Sequence, residues 1–280
     1  MPYLQKTRLD RAVVAPSIYG AAPHFVTDLS LFVEKEVASE LERFVQEYSA
    51  FLNAEDKYFR IDLFFDRDRF YVIEVNVEVA DGWGVALNLL RAAGYRPYAW
   101  AVFPKAFPTF PGDPRETEFK LAVNELARLG VGSTVEVLPE RIFDPLDNKL
   151  HLARFSRDWV GQKVAIPDLY WYGNSVWEDV PQDVYLKFAD KFCPEAIRSR
   201  YSAKPRAELG KAKQMKRLFA EGQAIAQQRV SPSLTGSGNQ VQAVAMCTGS
   251  KIVTGYIQIA PAGRNVINDK GTEKGALIFL

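Results

Sequence analysis

The stretch YFRIDLFFDRDRFYVIEVNVEVADGWGVALNLL, residues 58–90, constrains the fold more than any other part of the chain. Arg60–Phe65 and Phe70–Val77 each alternate polar and apolar residues, and Asp66–Arg69 between them carries turn chemistry. That is the mark of a β-hairpin, in which every second side chain shares a face. Glu74 and Asn76 then fall on one face of the second strand, with Asp62 on its partner. Carboxylates among aromatic and β-branched neighbours are costly to bury unless a cation accompanies them. The plain reading is a sheet edge facing water. The sharper one is a nest of hard oxygen donors suited to Mg²⁺, which takes carboxylate and carbonyl oxygens and shares its octahedron with phosphates.

Composition sets the frame for that hairpin. A chain of 280 residues with 48% hydrophobic and 25% charged residues can bury a full core, read here as two α+β lobes. A formal net charge of +1 gives no bulk electrostatic case for nucleic acid or an anionic membrane. Cys193 and Cys247 stand far apart in unrelated contexts, so no disulfide framework or zinc spacing follows. No apolar run reaches membrane-spanning length and the first residues lack an apolar leader core. A cytoplasmic protein is expected, with homodimerisation left open.

Around the hairpin, apolar spacing predicts a helix over Asp28–Leu52, capped by Asp28 or Ser30. Further helices are expected over 85–93 and 116–129, then a strand over Val135–Leu138, forming a small α/β layer. Residues 140–180 read as the connection between lobes, which puts one lobe at 1–160 and the other at 161–280. A short strand, Val184–Lys187, ends in a lysine. The basic run that follows, from Arg198 to Arg217, is broken by Lys204-Pro205 and Gly210-Lys211 into strand, loop and helix. Helix-terminal amides beside lysines suit phosphates. Strands at 223–230, 241–246 and 252–259 read as an antiparallel meander. The tail mixes glycines with charges, as loops that close over substrates do, before an apolar last strand.

The spacing R-x-D followed by E-x-N, at Arg60, Asp62, Glu74 and Asn76, resembles the metal-binding hairpin of ATP-grasp ligases. With the hairpin ahead of the phosphate lysines, the order resembles the circularly permuted branch, typified by eukaryotic-type glutathione synthetase and glutathionylspermidine synthetase. The resemblance runs from Arg60 towards the C-terminus, with residues 100–180 unmatched. It implies an α+β fold of the circularly permuted ATP-grasp type, two lobes with antiparallel sheets around a nucleotide cleft. It implies Mg²⁺ on Asp62, Glu74 and Asn76, with Arg60 steadying the reacting oxyanion.

Lys204-Pro205-Arg206-Ala207-Glu208 resembles the family's K-P-x-x-E ahead of a glycine-rich loop, here reduced to Gly210. That implies Lys204 and Gly210 on ATP phosphates and Glu208 as a further metal ligand, with Lys187 the other ATP lysine by position. Gln227, Gln228, Arg229 and Val230 resemble the hinge that holds adenine. Asn268, Lys270, Gly271, Lys274 and Gly275 resemble the substrate lid. The implied activity is an ATP- and Mg²⁺-dependent carboxylate–amine ligase working through an acyl phosphate. Its substrates would be small molecules such as amino acids or short peptides. The reduced glycine loop keeps open a non-catalytic nucleotide-binding module. The basic run keeps open a third class, a nucleic-acid-binding protein, though nucleic acid is not the expected partner.

Overall fold

A curled sheet organises a mixed α/β architecture with five helices among the described residues. The computed structural model describes residues 1–16, 25–66, 68–78, 81–99, 103–113, 115–139, 144–190, 203–206, 212–263, 267 and 272–280. The hairpin read from the sequence is present as β3 (Tyr58–Asp66) and β4 (Arg69–Val77). Its outer edge takes the short parallel strand β7 (Val164–Ala165). On its other side stands a second long hairpin, β13 (Gln240–Thr248) and β14 (Lys251–Ala260). Then come β15 (Glu273–Phe279), β2 (Leu29–Val33) and β1 (Pro2–Lys6), with β15 and β2 parallel.

Alternation decides what covers each face of this sheet. Ile61, Leu63, Val75, Val77, Ala243, Ala245, Cys247, Ile257 and Leu277 point one way into the main core. There they meet α1 (Lys35–Leu52), whose Val37, Leu41, Phe44, Val45 and Tyr48 recur at helical spacing and are all buried. Each such Phe or Leu contributes about 1.5–3 kcal/mol by leaving water. The helix stops at Asn53, which takes the left-handed conformation (φ 50°) and returns its N–H to Ser49 and Ala50 carbonyls. The expected start at Asp28 is corrected to Lys35, because Leu29–Val33 is drawn into the sheet as β2 between β1, antiparallel to it, and β15, parallel to it.

The opposite face is covered over part of its area by α2 (Trp83–Ala92) and α3 (Glu116–Arg128). Val244, Met246, Tyr256, Ala276 and Ile278 pack there with Trp83, Val85, Leu89 and Phe119. Gly84 lets the two helices touch: a Cβ there would lie 2.5 Å from the Glu118 carbonyl oxygen. The helix α3 also links β5 (Ala106–Thr109) to its parallel partner β6 (Thr134–Val137), the small α/β layer expected from the sequence.

A second, four-stranded sheet runs β10 (Ala203–Pro205), β9 (Val184–Phe188), β11 (Ala224–Gln228) and β8 (Leu169–Tyr170). Val184, Leu186, Phe188, Ala224 and Ala226 on one of its faces bury against Met215, Leu218 and Phe219 of α5 (Ala212–Ala220). Two expectations change accordingly. The division at residue 160 does not follow the sheets, because β13–β15 belong to the large sheet beside β3, while the small sheet is built from residues 169–228. The expected meander is split for the same reason, with β11 in the small sheet and β13–β14 in the large one. Residues 140–180 hold more than a connection, including α4 (Lys149–Phe155), β7 and β8. No described helix is long and apolar enough to cross a membrane.

Candidate active site at the junction of two sheets

Pairing in the first hairpin sets Asp62 directly opposite Glu74 and Arg60 opposite Asn76. Directly paired side chains share a face, with Cβ atoms about 5 Å apart. Asp62 and Asn76 are buried, and the Glu74 side chain is only 24% exposed. Just past Asp62 the register slips, Leu63 pairing with Val72, so that Ile73 is the extra residue of a β-bulge. Bulges re-aim a backbone group, and here the Ile73 carbonyl accepts from Lys187 Nζ and from Gln227 Nε2, each at 3.1 Å. Lys187 on β9 and Gln227 on β11 stand on the face of the small sheet that α5 does not cover. The bulge thereby brings the hairpin's acids and the strand-borne lysine to one junction.

Two cations already answer the two facing acids. The Arg60 guanidinium holds Asp62 (3.1 and 3.3 Å) and reaches Asp81 at 3.2 Å. Lys149, the first residue of α4, places Nζ 3.1 Å from Glu74 Oε1 with its side chain 10% exposed. Burial raises the Asp62 pKa, opposed by Arg60 and reinforced by Glu74 and Asp81. Burial pushes Lys149 down, yet Glu74 and Asp147 outweigh it and hold the lysine above its ordinary value. Lys187 is pushed down to about 8 by burial; Glu74 opposes the fall and the neighbouring Lys149 adds to it.

Behind Arg60, a further carboxylate braces α2. Glu118 accepts from the Gly84 N–H at 2.5 Å and is pushed up to about 8 by burial and by Asp81. An acid at a helix N-terminus meets the unpaired amides and the positive end of the dipole. The Asp62–Arg60–Asp81 bridge joins the hairpin to the start of α2, and the Glu118–Gly84 bond joins α2 to α3.

The remaining expected residues distribute as follows. Lys204 lies on β10 opposite Leu186, so its backbone borders the strand of Lys187. Gln228 ends β11, donating its N–H to the Asp168 carbonyl at 2.8 Å. Arg229 is exposed, 3.7 Å from Asp183, and Val230 follows it. Lys274 and Gly275, expected in a lid, sit instead inside β15, Lys274 opposite Gln258 and Gly275 opposite Ile257. That is a correction with a packing cause. A Cβ at Gly275 would fall 2.1 Å from the Leu29 carbonyl oxygen, so the glycine serves the close pairing of strands. The fully buried Lys274 holds its ammonium 5.3 Å from the centre of the Tyr256 ring. Glu208, Gly210, Asn268, Lys270 and Gly271 lie outside the described residues.

The donor set can be weighed for Mg²⁺. Among the described residues no group of three or more His, Cys, Asp and Glu is placed to hold a metal. Facing carboxylates at 62 and 74 with the Asn76 amide are nonetheless hard oxygen donors on one face, and Mg²⁺ commonly uses one or two carboxylates plus phosphate oxygens and water. The residues fit an ion that arrives with phosphates. Sequence reasoning missed Lys149, Asp81 and the Ile73 carbonyl. None belongs to a spaced motif; the one local hint was Asn148 ahead of an apolar run, a helix cap, which accepts from Leu150 N–H at 2.9 Å.

A cavity of 770 Å³ opens at the far end of the same hairpin, where Lys57, Tyr58, Glu78, Lys105 and Thr248 contribute to its wall. Lys57 bonds Asp144 at 2.7 Å and stands 3.9 Å from Glu78. Glu78 takes a left-handed backbone (φ 54°), uncommon for a side chain of its kind. Comparison with known family models gave no match, and comparison with curated proteins likewise found no relative.

Proposed function

We propose that the chain is an ATP- and Mg²⁺-dependent ligase of the circularly permuted ATP-grasp type, joining a carboxylate to an amine through an acyl phosphate. One observation carries the reading: Lys187 and Gln227 of the second sheet donate to the carbonyl of Ile73, the bulge residue next to Glu74 on the hairpin whose one face bears Asp62, Glu74 and Asn76. A partly buried group of carboxylates beside ammonium ions is the charge pattern that a metal-bound polyphosphate needs. Bound Mg²⁺ would supply charge neutralisation across the phosphates.

The chain's own residues then have defined tasks. Asp62, Glu74 and Asn76 offer oxygens to the metal, while Lys187 steadies phosphate oxygens. The substrate carboxylate attacks the γ-phosphorus and ADP leaves. The amine then attacks the acyl carbon, loses a proton and expels phosphate, and Arg60 stabilises the oxyanion of that step. No side chain has to become a covalent nucleophile. The cavity beyond Tyr58 offers room and both signs of charge for a polar acceptor.

The test is ADP release against a panel of amino acids and short peptides, with Mg²⁺ and then with chelator. Release that needs both an organic substrate and the metal supports the ligase. Nucleotide binding without turnover favours a non-catalytic nucleotide-binding module, and no nucleotide binding at all sinks both.

A further inference from the structure

Lys149 occupies an oxygen that the proposed metal would use, and the fold holds it there firmly. Its own N–H donates to the Ala189 carbonyl at 2.8 Å, and Asn148 forms a bridge with Asp190 just past β9. The start of α4 is thus tied to the end of the strand that carries Lys187. From that anchor the ammonium reaches Glu74 Oε1 at 3.1 Å, while Arg60 holds the opposing Asp62. Each of the two facing acids has a protein cation on it, and Lys187 stands beside them at the Ile73 carbonyl.

A divalent ion entering alone would have to displace the Lys149 ammonium from Glu74 and then sit near the Arg60 guanidinium and the Lys187 ammonium, in surroundings that screen charge poorly. Nucleotide phosphates change that balance, because they give a displaced ammonium an anionic partner of its own. A lysine is suited to the exchange: its charge is compact and its four-carbon stem rotates freely.

We propose that Lys149 is a resident counter-ion that keeps free divalent metal off Glu74 and transfers to the nucleotide's phosphates, so that metal and nucleotide load together. This positioning role rests on the nucleotide-site reading above. It makes Lys149 a gate on metal entry.

The test uses the full chain, Mn²⁺ as the metal and a non-hydrolysable ATP analogue, with binding followed by calorimetry and by the electron spin resonance of free Mn²⁺. Without nucleotide, Lys149→Met should bind Mn²⁺ about ten-fold more tightly than the unsubstituted protein, and should bind the analogue about ten-fold more weakly. Lys149→Arg, which keeps the charge, should stay near the parent for Mn²⁺ alone. A merely structural lysine would not raise metal affinity when removed. Unchanged or weaker Mn²⁺ binding in a folded Lys149→Met protein overturns the proposal while leaving the nucleotide site standing. Should that variant fail to fold, Lys149→Gln is read in the same way, and Mn²⁺ binding by the parent as tight without the analogue as with it refutes the gate. If neither Mn²⁺ nor the analogue binds the parent in any combination, the nucleotide-site reading falls and takes this one with it.

Discussion

The hairpins β3–β4 and β13–β14 are neighbours in one sheet, of similar length, and each carries a register shift, yet they spend the same face differently. On β3–β4 that face bears Arg60, Asp62, Glu74 and Asn76. On β13–β14 it bears Gln242, Val244, Met246, Tyr256 and Gln258, with no formal charge. The difference follows what lies above. Helix α2 covers Val244, Met246 and Tyr256, and an unpaired charge beneath it would have no partner. Over Glu74 the cover is instead a lysine-bearing helix start and a second sheet, which supply cations. On the first hairpin, the lesson is that the strand's carboxylate at 74 is matched by charge that other elements bring to it.

The strongest challenge to this contrast is Glu74→Gln. Removal of one charge should lower metal-supported ADP release by about a hundred-fold or more, with a melting curve close to the parent because the amide oxygen can still accept from Lys149. Full activity would remove the hairpin from the chemistry.

Gly275→Ala addresses the uncharged side of the sheet. With its Cβ aimed at the Leu29 carbonyl, the substitution should cost roughly 2 kcal/mol or more in denaturant unfolding. A lid residue would lose activity and keep stability, so the two roles separate in one experiment.

Glu118→Gln sharpens the account of the helix-covered half. The buried acid's pKa is raised from 4.5 to about 8, so the folded state retains a proton that the unfolded chain releases. Its contribution is full below pH 4.5 and is lost as pH rises through 8. Denaturant midpoints should therefore fall between pH 5 and 8 in the parent, on the order of 2 kcal/mol, and stay flatter in Glu118→Gln. Parallel pH profiles would refute the assignment.

The smallest effect is expected from Gln227→Leu, which removes one of two donors to the Ile73 carbonyl. A loss of about 1 kcal/mol is expected, since Lys187 still satisfies that oxygen. A larger loss, seen by hydrogen exchange across both sheets, would mean that the junction depends on Gln227 more than on Lys187.

Much of the site's hairpin was legible because both of its strands and their turn lie within twenty residues, and period-two alternation reports which side chains share a face. Helices α1 and α3 were legible for the same reason, through apolar spacing near 3.6. The sequence reading ends an apolar strand at Lys187, and the structure carries that strand one residue further, to Phe188. Lys149 could not be singled out, since one lysine after Asp-Asn at the start of a seven-residue helix is no different in sequence from a solvated one. Leu29–Val33 misled because its residues suit either the start of α1 or a strand, and pairing with β1 and the distant β15 settles the choice.

By itself the chain's sequence determined the local elements and the alternation that sets acids and apolar residues on opposite faces of β3 and β4. Short-range sterics and side-chain periodicity suffice for that. Tertiary structure alone decided that β15 runs parallel to β2, that β13–β14 joins β3 rather than β11, and that Lys149 comes to Glu74. Those choices depend on which distant surfaces bury one another and which charges are left to be paired, and no local pattern encodes them.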